Sequence, residues 1–198
     1  MPSIHNLCYT NSALTQTKGL IPMTKTELAA AIYQASHITG EFLLRSGQVS
    51  NEYFDKYLFE SDPALLKAIA EAMRPLIPEG SGALAGLEMG GVPVAAALSM
   101  ESGLPALFVR KKAKEYGTRK LAEGPSFDGA RVCVIEDVVT TGGQIIESVK
   151  ELRALGAVID TVLCVILRGK NAAELLAREN LTLIPAFVMG DGELTVNC

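Results

Sequence analysis

The sequence predicts an α/β fold with a central, mostly parallel sheet and helices on both faces. Three observations predict it. Apolar runs at 83–87, 106–109, 132–135, 158–167 and 181–188 alternate with stretches of helical pattern. The runs are predominantly apolar, as strands buried on both faces are. The first four run into polar residues, Glu88, Arg110, Glu136 and Arg168. Sheets of this kind bind ligands beyond the carboxyl ends of their strands, so these four residues mark the expected site.

Each element has a local reason. Residues 24–37 carry a helical pattern, and Thr24 with Glu27 makes a capping box ahead of it. Short strands are expected at 42–47 and 53–59, around a polar turn at 48–52. Ser61-Asp62-Pro63 starts a helix, with Pro63 where its missing N–H costs nothing; the helix runs towards Leu76. Gly90-Gly91 opens a helix over 92–100, and the 106–109 run leads into a charged stretch at 110–120. Further helices are expected over 141–155 and 171–178.

At 198 residues the chain fits one domain with a real core. Its net charge of −4, with no basic stripe beyond one short segment, argues against nucleic acid as a principal partner. No apolar run approaches the ~18 residues of a membrane span. Cys8, Cys133, Cys164 and Cys198 form no CxxC pair, and two lie in apolar runs. They read as small core residues in a reducing cytoplasm, with no spacing for a disulfide framework or zinc site. His5 and His37 are isolated and receive no ligand role. Residues 1–22 are polar and lack a signal-peptide pattern. They are expected to be a poorly ordered extension, with the folded domain spanning 23–198.

The chemistry concentrates in Val132-Cys133-Val134-Ile135-Glu136-Asp137-Val138-Val139-Thr140-Thr141-Gly142-Gly143-Gln144. A buried strand delivers two carboxylates to its exposed end, and a loop of hydroxyls and glycines then opens a helix. Backbone N–H groups of such a loop surround a phosphate, and the helix N-terminus favours its charge. Thr140, Thr141 and Gln144 add side-chain hydrogen bonds. Glu136 and Asp137 suit the hydroxyls of a ribose diol, directly or through a hard cation. No Lys follows the glycines, so this is not a Walker loop.

This segment closely resembles the phosphoribosyl pyrophosphate (PRPP) signature of the type I phosphoribosyltransferases. Three further segments resemble the orotate phosphoribosyltransferases within that family. Phe108-Val109-Arg110-Lys111-Lys112-Ala113-Lys114-Glu115-Tyr116-Gly117-Thr118 looks like the family's mobile catalytic loop. By that resemblance Arg110, Lys111, Lys114 and Tyr116 bind PRPP, and Lys114 and Asp137 are the catalytic residues. Leu44-Arg45-Ser46-Gly47 through Tyr53-Phe54-Asp55-Lys56-Tyr57 is similar to the N-terminal motif of a small hood region. It implies Arg45, Tyr53 and Phe54 at the orotate pocket. Leu167-Arg168-Gly169 places an Arg where a carboxylate can be held bidentately. The family contacts orotate there and at the position of Thr140. The chain departs from the best-known bacterial pattern at Gly90 and Arg45, each in place of a Lys, and at Tyr116, in place of a His.

The resemblance spans about residues 28–189 and implies transfer of ribose 5-phosphate from PRPP to orotate in pyrimidine biosynthesis. It further implies Mg²⁺ held mainly by PRPP rather than by a protein cage. It also implies a cytoplasmic homodimer in which one subunit's loop covers the partner's site. A phosphoribosyltransferase for a purine or uracil is one rival, opposed by the cationic loop and Arg168. A PRPP-sensing regulator is another, opposed by the absence of a basic face.

Overall fold

Thr24 caps the first helix. Its Oγ1 accepts from the Glu27 N–H at 3.2 Å, and Glu27 Oε2 accepts from the Thr24 N–H at 2.8 Å, the expected capping box. The computed structural model describes residues 23–44, 47–113, 120–190 and 192–196. Helix α1 (Lys25–Ser36) buries Leu28, Ala29 and Ile32. It passes directly into an antiparallel hairpin, β1 (His37–Leu43) and β2 (Val49–Phe54), which forms a two-stranded sheet of its own. The short helix α2 (Lys56–Ser61) and α3 (Pro63–Met73) follow, and a single 3₁₀ turn, Arg74–Leu76, ends the run.

The remaining strands are β3 (Ala83–Leu87), β4 (Ala106–Val109), β5 (Ala122–Glu123), β6 (Val132–Val139), β7 (Thr161–Leu167), β8 (Thr182–Met189) and β9 (Leu194–Val196). They build one sheet in the order β5-β4-β3-β6-β7-β8-β9. The five inner strands are parallel, and the edge strands β5 and β9 run antiparallel. Helices α4 (Gly91–Ser102), α5 (Gly143–Ala154) and α6 (Ala172–Ala177) complete the fold.

Side-chain alternation along the strands divides the interior in two. Leu84, Cys133, Ile135, Leu163 and Phe187 pack with Ile32, Phe59, Ile69 and Leu98 from α1 to α4. Ala85, Val134, Val162 and Cys164 pack on the other face with Ile145, Val149, Leu152 and Leu176. Cys133 and Cys164 are free and buried. Burial pushes the Cys133 thiol up to about 12 and the Cys164 thiol up as well, so both behave as small apolar residues.

Several sequence expectations need correction. The helix expected to reach His37 stops at Ser36, because His37 already pairs with Phe54 in the hairpin. Residues 49–52, expected in the turn, belong to β2 instead, and Gly47 N donates to Leu44 O ahead of it. The strand expected over 53–59 ends at Phe54. Asp55 accepts from the Tyr57 N–H at 3.1 Å and starts α2 instead. The strand expected at 132–135 continues to Val139, since Val138 and Val139 pair with Ile166 and Leu167. The strand expected from Val158 starts at Thr161, leaving only an isolated Arg131–Val158 bridge. The helix expected from Thr141 begins at Gly143.

Phe59 is fully buried and anchors α2 in the first core. Phe59→Ala is expected to destabilise the protein by about 3–5 kcal/mol, read from chemical denaturation followed by circular dichroism.

Candidate active site

Strand β6 carries the acidic pair inside the sheet, Glu136 pairing with Cys164 and Val139 with Leu167. The chain then leaves as exposed Thr140 and Thr141 and reaches Gly142 at φ 80°, in the left-handed region open to glycine. Gly142 opens α5, and no side chain caps the first turn. The N–H groups of that turn therefore remain for a ligand, as a phosphate site requires.

Arg168 and Gly169 follow directly on β7. The N–H groups of both point at Val139 O, 2.8 and 3.3 Å away. A Cβ at Gly169 would overlap the Thr140 carbonyl, so glycine permits this close approach. Arg168 thus starts beside the loop that holds Thr140, as the sequence predicts.

A cleft of about 590 Å³ lies between the hairpin and these strand ends. Ser50, Glu52, Tyr53 and Phe54 line its hairpin side, and Leu167, Arg168, Gly169 and Lys170 its sheet side. Tyr33 stacks on His37 with ring centres 5.0 Å apart, and His37 Nε2 sits 3.3 Å from Glu52 Oε2. Phe42 braces Tyr53 at 5.5 Å. A groove of about 630 Å³ walled by Leu121, Pro125, Phe127 and Leu155 contains no residue of the motif.

The acidic pair differs from the sequence picture. Rather than standing at an exposed strand end, Asp137 is fully buried and Glu136 partly so. Asp137 Oδ1 accepts from the Val138 N–H at 2.6 Å, and Oδ2 forms an ion pair with Lys56 Nζ. Buried Glu60 lies close by, its Oε1 without a hydrogen-bond partner among the described residues. Burial, then neighbouring Asp137, pushes the Glu60 carboxyl up to about 9. Burial and Asp137 likewise push Glu136 up to about 8.

At the far side, Lys111 N donates to Glu88 Oε2 at 3.0 Å, and Arg110 Nε lies 3.8 Å from Glu123 Oε1. The roots of the charged loop are therefore held at the ends of β3, β4 and β5. Arg45, Lys114 and Tyr116 lie outside the described residues, as do residues 1–22 and Cys198. The sequence reading missed Lys56 and Glu60 as site residues. The strand expected over 53–59 hid their i,i+4 relation on α2. It also gave His37 no role, although His37 lines the cleft.

The raised carboxyls fix a sign. Between about 4.5 and 9 the folded protein keeps a proton on Glu60 that the unfolded chain releases. Stability is therefore complete at low pH within this window and declines as pH rises through it. The melting temperature without ligands is expected to fall from pH 5 to pH 9, and Glu60→Gln to flatten the fall. A pH dependence that Glu60→Gln leaves unaltered would contradict the assignment.

The phosphoribosyl transferase domain family matches residues 59–185. An orotate phosphoribosyltransferase from Nocardioides is 52% identical over 164 residues, 83% of this chain and 92% of that protein. One from Methanocaldococcus jannaschii is 42% identical over 79% of this chain and 89% of that protein. Among solved structures, Mycobacterium tuberculosis orotate phosphoribosyltransferase in complex with PRPP superposes with a TM-score of 0.70 at 29% identity, covering 81% of this chain and 93% of that one. With the glycine turn after β6, Arg168 beside it and the cleft beneath the hairpin in place, the chain belongs to the orotate phosphoribosyltransferases, which join orotate to the ribose 5-phosphate of PRPP in pyrimidine biosynthesis.

Proposed function

We propose that the cleft beneath the hairpin holds orotate while residues 136–144 hold PRPP, and that the chain makes orotidine 5'-monophosphate and pyrophosphate from them. The observation that carries this reading is the Gly169–Thr140 contact, which sets a cationic side chain at the junction of cleft and phosphate loop. Arg168, with Thr140, takes the orotate carboxylate, an anion that purines and uracil lack. Tyr53 and Phe54 wall the ring, and Arg45 completes that side.

In the reaction a ring nitrogen of orotate forms a bond to the anomeric carbon as the bond to pyrophosphate oxygen breaks, the electron pair leaving with pyrophosphate and the N–H proton passing to pyrophosphate or solvent. No protein nucleophile is needed. The chain supplies positioning and charge stabilisation. Val138, Val139, Thr140, Thr141, Gly142, Gly143 and Gln144 seat the 5-phosphate, while Arg110, Lys111, Lys114 and Tyr116 gather on the departing pyrophosphate. Glu136 Oε2 is buried without a hydrogen-bond partner among the described residues, a fitting neighbour for a cation carried in by substrate. Glu136 and Asp137 would lie beside Mg²⁺ held mainly by PRPP, which neutralises charge on pyrophosphate when bound.

We place the folded domain at 23–198, with 1–22 as an extension, and the enzyme in the cytoplasm. No helix among the described residues is long and apolar enough to cross a membrane. The dimer is supported by α4, which is apolar on its outer side as well as its inner. Met100 is 83% exposed there, and Met89 and Phe108 are exposed nearby in sequence and strand order. An apolar helix face of this kind suits a second copy. The loop springs from β4 immediately after Phe108 and Val109, which suits delivery of Lys114 to the partner's site.

Incubating the protein with Mg²⁺ and PRPP is expected to consume orotate, followed by its ultraviolet absorbance. Faster use of adenine, hypoxanthine, guanine or uracil would replace orotate as the substrate. Sharing of the site has its own test. Lys114→Ala and Asp137→Asn chains, each inactive alone, are mixed and allowed to exchange subunits. If the loop serves the neighbour, half the dimers are hybrids with one intact site, and activity returns to about a quarter of wild type. A loop acting within its own subunit gives no recovery, with hybrids confirmed by mass spectrometry.

A further inference from the structure

Helix α2 lies far from the phosphate motif in sequence, yet it sends two side chains into it. Lys56 and Glu60 stand one turn apart on α2; Lys56 Nζ forms an ion pair with the Asp137 carboxylate, and Glu60 Oε1 lies with Asp137 Oδ2 beside Gly90. Asp137 is fully buried, while the Lys56 side chain that reaches it is a third exposed. Among the described residues, Lys56 is the cation in ion-pair contact with Asp137.

Gly90 explains how the three groups fit. Its backbone, at φ −71° and ψ −29°, is one that any residue adopts. Glycine is therefore not required there for conformation. A Cβ at Gly90 would overlap the Asp137 carboxylate and lie 2.8 Å from Glu60 Oε1, so glycine is required for space. Gly90 opens α4, Asp137 lies in β6, and Lys56 opens α2. Three separate segments thus converge on one carboxylate, three residues before the exposed Thr140.

We propose that Lys56 is a positioning residue for PRPP binding. Its ammonium holds the Asp137 carboxylate in place at the base of the phosphate loop, and Gly90 leaves the room in which that contact forms. The inference rests on residues 136–144 being the PRPP site. It concerns PRPP alone and assigns Lys56 no contact with orotate. Removing one partner from a buried ion pair leaves the other uncompensated, so Asp137 cannot keep its place without Lys56.

The test uses the full chain and calorimetric titration with PRPP and Mg²⁺, and separately with orotate. Lys56→Met is expected to weaken PRPP binding by ~10-fold or more while orotate binding stays within ~3-fold. Lys56→Arg, which keeps the charge, is expected to restore most of the PRPP affinity. Gly90→Ala is expected to cause the same selective loss with Lys56 intact. Because both changes act through one carboxylate, Lys56→Met/Gly90→Ala should be no weaker than the worse single variant, within ~3-fold. Equal weakening of both ligands, failure of Lys56→Arg to rescue, or multiplied losses in the double variant would each overturn the proposal. If thermal melting shows that Lys56→Met does not fold, Gly90→Ala decides: selective loss supports the proposal, and unchanged PRPP affinity ends it. Turnover of orotate by the wild type, run in parallel, tests the reaction itself. An enzyme inert towards orotate would remove that assignment and leave the PRPP titrations to decide this one.

Discussion

A carboxylate taken out of water must meet positive charge, and Asp137 meets it through one short helix. Lys56 brings the charge, and buried Glu60 stands with the same carboxylate around Gly90. Their spacing on α2 requires that helix to sit against β6, and the burial of Phe59 between them in sequence holds it there. The apolar surface of Phe59 and the charges of its neighbours thus act in the same direction. Hydrophobic burial supplies the stabilisation, while the buried charges specify where the helix must lie.

Backbone approach is the second constraint. The phosphate loop is bounded by residues without a Cβ, for different reasons. Gly142 takes a left-handed conformation at the start of α5, whereas Gly90 and Gly169 adjoin groups that any side chain would displace. The outcome is a loop against which neighbouring segments close tightly, with no side chain capping the helix it opens. A site for a charged ligand needs such rigidity, because donors fixed before binding require no reorganisation afterwards.

Charge is distributed by depth. Acids occupy the inside of the site, with Asp137 and Glu60 buried and Glu136 partly covered, while Arg168, Lys170, Lys111 and Lys112 stand at the rim. Burial keeps protons on Glu60 and Glu136 at pH values where exposed carboxyls are ionised, which lowers the negative charge that an approaching anionic substrate would meet.

The apolar runs made the parallel sheet legible, because strands covered on both faces are mostly apolar and few polar residues blur their pattern. The 136–144 segment was legible for a similar reason: a phosphate loop is contiguous, so its strand, acids, hydroxyls and glycines appear in order along the chain. Edge strands β5 and β9 were not, being two and three residues long and owing their pairing to neighbours. The hairpin and α2 were misplaced because Asp55 reads equally as a strand residue and as a helix cap until packing chooses. The sequence by itself determined the fold class and the placing of residues 136–144 and Arg168 at strand ends, since each rests on a local pattern of residue types. Only the tertiary structure decided that Lys56, Glu60 and Gly90 belong with Asp137, because they meet from α2, α4 and β6, and no local pattern records contact between segments so far apart in the chain.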